Sequence, residues 1–333
     1  MLHMAGRRSQ LSPDKPFTDA LKEFGRLDIV EHCRDMTEAD ILARMRKADV
    51  LITMWGAAPI PPALADEPGN VRYVLHLTGT CRPYIPIEII RSDIPVTNWG
   101  DAPANAIAEG AMALLLAVMK DLRSRTDGVR RGEWIGARRL GVPSGTLNQL
   151  RLGLYGCGVI GRRFVDMVAP FKPDLLVYDP YADILPDCCR RVDSLEELFK
   201  ESEALSIFAG LSDQTRQSVT ADLLAKLPDH GIVINVARGE IIDQNALFSE
   251  LKSGRLRAGL DVLDGSDSLP PDHEARQWPN LLLTCHDINS ALWPDRPGQM
   301  SDADRIALDN LRHFIAGEPL KFEMDEKRYN LST

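Results

Sequence analysis

No stretch of this 333-residue chain is apolar for long enough to cross a membrane. The most apolar run, 111–119, falls far short of the ~20 residues a spanning helix requires. Long basic runs are missing as well. Lysine and arginine number 39 against 48 aspartates and glutamates, a net charge of −9. That balance excludes nucleic acid or an anionic membrane surface as the main partner, but not a small anion held by one or two arginines. No apolar segment follows Arg7 and Arg8, where Ser9, Gln10 and Ser12 stand instead, so no secretory signal is expected. The six cysteines (Cys33, Cys81, Cys157, Cys188, Cys189, Cys285) contain no C-x-x-C pair and no zinc spacing. Reduced thiols in a cytoplasmic protein are the expectation. Internal repeats and low-complexity linkers are absent too. With 44% hydrophobic and 26% charged residues the composition is globular. At roughly 150 residues per domain, the length implies two domains.

What is present is alternation. Short apolar runs at 150–155, 175–178, 204–209, 231–237, 259–263 and 281–284 read as strands. Helical patterns at 159–168, 195–200, 221–226 and 246–252 separate them. Strands spaced by short helices imply parallel crossovers, and six in this order fit a doubly wound sheet. A weaker version occupies the first hundred residues, with strands expected at 27–30, 50–53 and 71–75 and a helix at 37–47. No opening strand is visible in the polar residues 1–16. A smaller second α/β domain follows, with its boundary near Asp101-Ala-Pro103, where proline can begin a helix. Residues 104–122 form the longest helical pattern, too broadly apolar for one exposed face. The tail begins with Trp293-Pro294 and ends in a helix at 302–316.

The strongest local signal is Gly156-Cys-Gly158-Val-Ile-Gly161, which follows a strand and opens a helix. That is the context a dinucleotide fingerprint requires. Gly156 permits the tight turn, Gly158 lets the backbone approach a pyrophosphate, and Gly161 lets helix and strand pack closely. Asp179 ends the next strand, 179 − 161 = 18 residues on. A carboxylate there accepts from both ribose hydroxyls and repels a 2′-phosphate, which favours NAD. Asp179-Pro180 is also a common turn pair.

Arg238, Asp261 and His286 each fall at the carboxyl end of an expected strand, where ligands of parallel sheets sit. An arginine there can grip a carboxylate through two parallel hydrogen bonds, although strand-end arginines are commonly solvated loop charges. A histidine beside an acid suits hydride chemistry, because the carboxylate raises its pKa and holds its tautomer. Asp264 and Asp267 are both candidates for that acid, and spacing alone does not choose between them.

Over nearly its whole length the chain resembles the D-isomer-specific 2-hydroxyacid dehydrogenases. The residues that carry the likeness are the glycine motif, Asp179, Asn235-Val-Ala-Arg238-Gly-Glu-Ile-Ile-Asp243, Leu260-Asp-Val262, Asn280-Leu-Leu-Leu-Thr-Cys-His286 and Ala106-Ile-Ala-Glu109. The resemblance implies a Rossmann-type doubly wound parallel sheet (104–291) inserted into a smaller flavodoxin-like α/β substrate domain (1–103 and 292–333). It also implies a homodimer and an active site in the cleft between domains, closed against water. Its cofactor is NAD, held by Gly156, Gly158, Val159, Ile160, Gly161, Asp179, Gly210, Ser212, Thr215, Val236, Ala237 and Asp261. By the same likeness Arg238 binds the substrate carboxylate and His286 is the acid of reduction and base of oxidation. Asp267 takes the place of the family's glutamate, with Asp264 the second choice. No metal is needed, since arginine and imidazolium polarise the carbonyl.

Several positions depart from the family pattern. Ser268 and Cys285 stand where proline is usual, Asn289-Ser290 replaces a glycine-containing sequence, and Gly210 replaces a proline. The substrate loop is His76-Leu-Thr-Gly79-Thr-Cys-Arg82, in which Gly79, Thr80 and Cys81 occupy the place of the backbone donors to the carboxylate. Arg82 either faces solvent or meets a larger or doubly anionic substrate. The leading expectation is oxidoreduction of a small D-2-hydroxy acid. The alternative is a catalytically weak NAD(H)-sensing corepressor-like interaction protein on the same fold, suggested by the glutamate-to-aspartate change and opposed by the retention of Arg238 and His286.

Overall fold

The computed structural model describes residues 2–5, 16–30, 36–134, 144–265, 267–288 and 300–331. Cys33, Asn289-Ser290 and Trp293-Pro294 lie outside the described residues. The chain divides into two compact units, Met1–Ala102 with Leu292–Thr333, and Pro103–Ala291.

The first unit is built on β1 (Leu2–Ala5), α1 (Pro16–Lys22), β2 (Leu27–Val30), α2 (Glu38–Met45), β3 (Val50–Thr53), β4 (Tyr73–His76), α3 (Ile87–Ile90) and β5 (Val96–Thr97). These strands form one parallel sheet in the order β2-β1-β3-β4-β5, a flavodoxin-like arrangement. β1 does exist: it pairs in register with β2 and β3. Its sequence, Leu2-His3-Met4-Ala5, is too short to reveal a period of two.

Adjacent strand residues point to opposite faces. Val50, Ile52, Tyr73 and Leu75 pack with Phe17 and Leu21 of α1 and with Leu308 and Leu311 of the tail. Leu51 and Val74 face the other way, toward Met45 of α2 and Ile89 of α3. Both faces are therefore covered, as parallel sheets require.

In the second unit α4 (Ala104–Met119) and α5 (Leu122–Arg130) precede β6 (Arg151–Tyr155), α6 (Val159–Val168), β7 (Asp174–Tyr178), β8 (Cys189–Arg191), α7 (Leu195–Glu201), β9 (Ala204–Ile207), α8 (Ala221–Leu224), β10 (Ile232–Asn235), α9 (Gln244–Lys252), β11 (Arg257–Leu260) and β12 (Leu281–Leu283). They make a seven-stranded parallel sheet, β12-β11-β10-β9-β6-β7-β8, the Rossmann-type doubly wound order. Six strands were readable in the sequence. The seventh, β8, is a short charged edge strand without a buried face, so it carries no hydrophobic pattern. Leu152, Leu154, Val177 and Ile234 pack under α4 and α6, whereas Leu176, Leu205, Val233 and Leu260 pack under α7 and α9.

The long helix is shorter than its pattern. α4 ends at Met119, and Asp121 turns the chain with φ +48 before α5 begins. Leu122, read as a continuation of the apolar face, is instead 48% exposed on the new helix. The tail consists of α10 (Asp302–Ala316) and α11 (Glu326–Leu331). Ser301 and Asp304 close a capping box at the start of α10, and Gly317 ends it with φ +69. No helix among the described residues is long and apolar enough to span a membrane.

Candidate active site

The glycine turn joins β6 to α6, and each glycine has its own environment. At Gly156, φ is +93 and a Cβ would stand 2.7 Å from the Ala209 nitrogen, so only glycine fits. At Gly161 a Cβ would meet the Gly156 carbonyl oxygen at 2.7 Å, which sets how closely α6 approaches the turn. At Gly158 a Cβ would meet nothing within 4 Å. That open side, at the N-terminus of a ten-residue helix that starts at Val159 and Ile160, is where a pyrophosphate can lie against backbone N–H groups.

Asp179 follows β7. Its Oδ2 accepts from the Cys157 N–H at 2.7 Å, and its Oδ1 from Tyr181 at 2.9 Å and Ala182 at 3.1 Å. The aspartate thus makes the Asp-Pro turn and also ties the carboxyl end of β7 to the glycine turn. The loop after β9 is held by Thr215, whose hydroxyl donates to the Gly210 carbonyl at 2.7 Å and accepts from the Ser212 N–H at 2.7 Å.

Arg238 follows β10 in a turn braced by Asn235. The Asn235 amide donates to the Arg238 carbonyl at 2.9 Å, and its Oδ1 accepts from the Ala237 N–H at 3.0 Å. Val236 between them is buried. Arg238 is half-buried, and its Nη1 donates to the Ala237 carbonyl at 2.6 Å. Burial draws its pKa down from the usual guanidinium value, opposed by the charges of Glu240 and Asp267. Asn235 and Gly239, for which the sequence suggested no function, both shape this turn. A Cβ on Gly239 would lie 2.0 Å from the Leu263 carbonyl carbon, so this segment touches the loop after β11.

On that loop Asp267 meets His286, with the His286 Nδ1 and Asp267 Oδ2 in hydrogen-bond contact. The other carboxylate oxygen of Asp267 accepts from the Leu263 N–H at 2.7 Å. Asp264, the second candidate, instead has its backbone N–H bound to the Gln244 side chain at 2.8 Å. Both Asp267 and His286 adopt φ +56, a left-handed conformation uncommon outside glycine but several-fold enriched in aspartate and histidine. The His286 side chain remains 45% exposed.

Asp261 places the histidine. It is buried, and its carbonyl accepts from the His286 N–H at 2.8 Å. Its Oδ1 gathers the Thr284 hydroxyl at 2.5 Å and the N–H groups of Asp287 and Ile288 at 3.2 and 3.3 Å. The sequence marked Asp261 for the cofactor. That it organises the loop after β12 depends on partners 23 to 27 residues away and has no local signature.

In the first unit the loop after β4 carries Gly79, Thr80 and Cys81. The Cys81 thiol is buried, contacts the Gly79 carbonyl at 3.7 Å, and is pushed up to about 12 by burial. Arg82 donates to the carbonyls of Tyr329, at 3.2 Å, and Asn330 in α11.

A family profile described as the NAD binding domain of D-isomer specific 2-hydroxyacid dehydrogenases matches residues 112–287, just over half of the chain. The chain belongs to this family. A hydroxypyruvate reductase of Thermotoga maritima is 34% identical over 280 residues, covering 82% of this chain and 88% of the relative. The D-3-phosphoglycerate dehydrogenase of Methanocaldococcus jannaschii is 29% identical over 281 residues, covering 83% of this chain. The chain spans about half of that relative, 52% of its length. The solved structure of a D-2-hydroxyisocaproate dehydrogenase shares the fold, with a TM-score of 0.76 at 21% identity over 97% of this chain and 99% of that one. The matched segment is the family's NAD-binding domain, and NAD is the cofactor. The glycine turn fits it: two crowded glycines set the turn, and the open one faces the space a pyrophosphate needs.

Proposed function

We propose that the chain is an NAD-dependent oxidoreductase that interconverts a small D-2-hydroxy acid and its 2-oxo acid. The bound cofactor supplies or takes up a hydride at nicotinamide C4. The observation that carries the reading is the His286–Asp267 pair, on loops leaving two adjacent strand ends and beside the segment that bears Arg238.

Asp267 engages Nδ1, which leaves Nε2 to give a proton to the carbonyl oxygen in reduction and to take one from the hydroxyl in oxidation. The carboxylate also stabilises the imidazolium. Arg238 grips the substrate carboxylate through two parallel hydrogen bonds and so orients the carbonyl carbon. Gly79, Thr80 and Cys81 contribute backbone donors to the same carboxylate. Because its thiol is buried and bonded to the Gly79 carbonyl, Cys81 acts there through its backbone. Guanidinium and imidazolium together polarise the carbonyl, so the step requires no metal. We place the protein in the cytoplasm as a homodimer. Five cysteines free among the described residues accord with a reducing compartment.

The test is NADH oxidation against a panel of 2-oxo acids with the wild type and three variants. His286→Asn and Arg238→Ala are expected to lower kcat/KM by about 1,000-fold, and Asp267→Asn by about 100-fold. An enzyme that binds NADH yet turns over no 2-oxo acid would refute the proposal.

A further inference from the structure

The loops that leave β3, β4 and β5 lie side by side, because these three strands are neighbours and parallel. In an open α/β sheet the space beyond the carboxyl ends of strands is where ligands sit. Trp55 lies two residues past β3, Gly79 three past β4 and Trp99 two past β5. The two indoles pack edge to face, with centroids 5.4 Å apart and planes at 85°. The edge of Trp99 presses on Gly79 so closely that a Cβ there would lie 2.7 Å from Nε1 and 3.0 Å from Cε2. Asn98, beside Trp99, donates to the Gly79 carbonyl at 2.9 Å. The glycine loop and the tryptophan pair therefore form one surface. Even after this packing Trp55 keeps 38% of its area exposed.

Two arginines near this surface make hydrogen bonds to neutral acceptors. Arg82 donates to the Tyr329 and Asn330 carbonyls. Arg328 donates to the Asn98 side chain at 3.2 Å and lies over the Phe322 ring, 5.3 Å from its centroid. An apolar group laid on this surface gains area against indole at once.

We propose that Trp55 and Trp99 select the substrate, and that they accept a 2-oxo acid with an apolar side chain, benzyl or isobutyl in size, over glyoxylate and hydroxypyruvate. The proposal rests on the dehydrogenase reading above, in which the Gly79 loop meets the substrate carboxylate. Aromatic side chains gain most, since a ring can stack on or meet the edge of an indole.

The experiment compares kcat/KM for phenylpyruvate and 4-methyl-2-oxopentanoate with that for glyoxylate and hydroxypyruvate. Wild type, Trp55→Ala and Trp55→Phe are run together with saturating NADH. The wild type is expected to favour the apolar acids by at least about 10-fold. Trp55→Ala should bring that ratio close to one, and Trp55→Phe should keep most of it. A wild type that handles glyoxylate or hydroxypyruvate as well as the apolar acids overturns this proposal and leaves the dehydrogenase reading standing. A ratio that survives Trp55→Ala overturns it equally. Absence of turnover with all four acids overturns this proposal, and the dehydrogenase reading falls with it only if the NADH-binding enzyme also turns over no other 2-oxo acid of the panel.

Discussion

His76 sits at the carboxyl end of β4 with no exposed surface, both ring nitrogens bonded to threonine hydroxyls, Thr53 at 2.8 Å and Thr78 at 2.7 Å. Burial draws its pKa from the ordinary 6.5 down to about 4, opposed by a backbone hydrogen bond with Thr80. Between those two values the unfolded chain binds a proton that the folded one refuses. Its contribution is therefore full above about pH 6.5 and declines as the pH falls toward 4, for a total of about 3 kcal/mol. Urea unfolding at pH 5 and pH 7 checks this. Wild type should be less stable at pH 5, and His76→Gln should reduce the difference. An unchanged pH dependence in the variant would show that another group is responsible. The same residue keeps Thr78, one position before Gly79, tied to the sheet. The sequence singled out His286 because it ends a core-like strand in the expected cofactor domain, whereas His76 ends a strand of the smaller unit. Burial separates the two as well, and a strand-end position does not reveal it.

Elements were legible wherever an apolar face repeats over several residues. β6, β7 and β9 to β12 have such faces, and so does α10 with its serine cap and glycine stop. β1 and β8 offer too few patterned residues, and the end of α4 depends on the backbone at Asp121 rather than on hydrophobicity. How the segments between elements approach one another is a further level, set by the sheet. Gly239 illustrates it, with the carbonyl carbon of Leu263 and the nitrogen of Asp264 only 2.0 and 2.3 Å from where a Cβ would be. Gly239→Ala must push apart the segments that carry Arg238 and Asp267. We expect a loss of about 2 kcal/mol in thermal or urea unfolding, as for other overpacked sites. Misplacement of the site groups should also lower kcat/KM by about 100-fold. Retention of both stability and activity would mean that the two segments separate freely.

At the scale of the whole molecule, a single chain folds into two α/β units, each with a sheet covered on both faces. The smaller sheet is completed by residues from both ends of the sequence: α10 packs on one face, and Met324 and Tyr329 on the other. A truncated tail would thus expose apolar area on the first unit. For the proposed homodimer, light scattering on the purified protein should return twice the chain mass of 37.0 kDa, about 74 kDa. A mass near that of one chain would remove the dimer from the account.

By itself the sequence determined the parallel Rossmann order, the family and the strand ends at which the candidate site residues stand. Those properties follow from local pattern and from motifs in chain order, and Gly156, Asp179, Arg238 and His286 each stand in such a motif. Only the tertiary structure decided between Asp264 and Asp267 as the partner of the histidine ring. The choice turns on a contact across 19 residues and on two left-handed backbones that bring the side chains together. It likewise decided that Asp261 shapes the His286 loop and that Trp55 and Trp99 share a surface with Gly79. Each of these joins residues distant in sequence, whose proximity arises only when parallel strands set their carboxyl ends side by side.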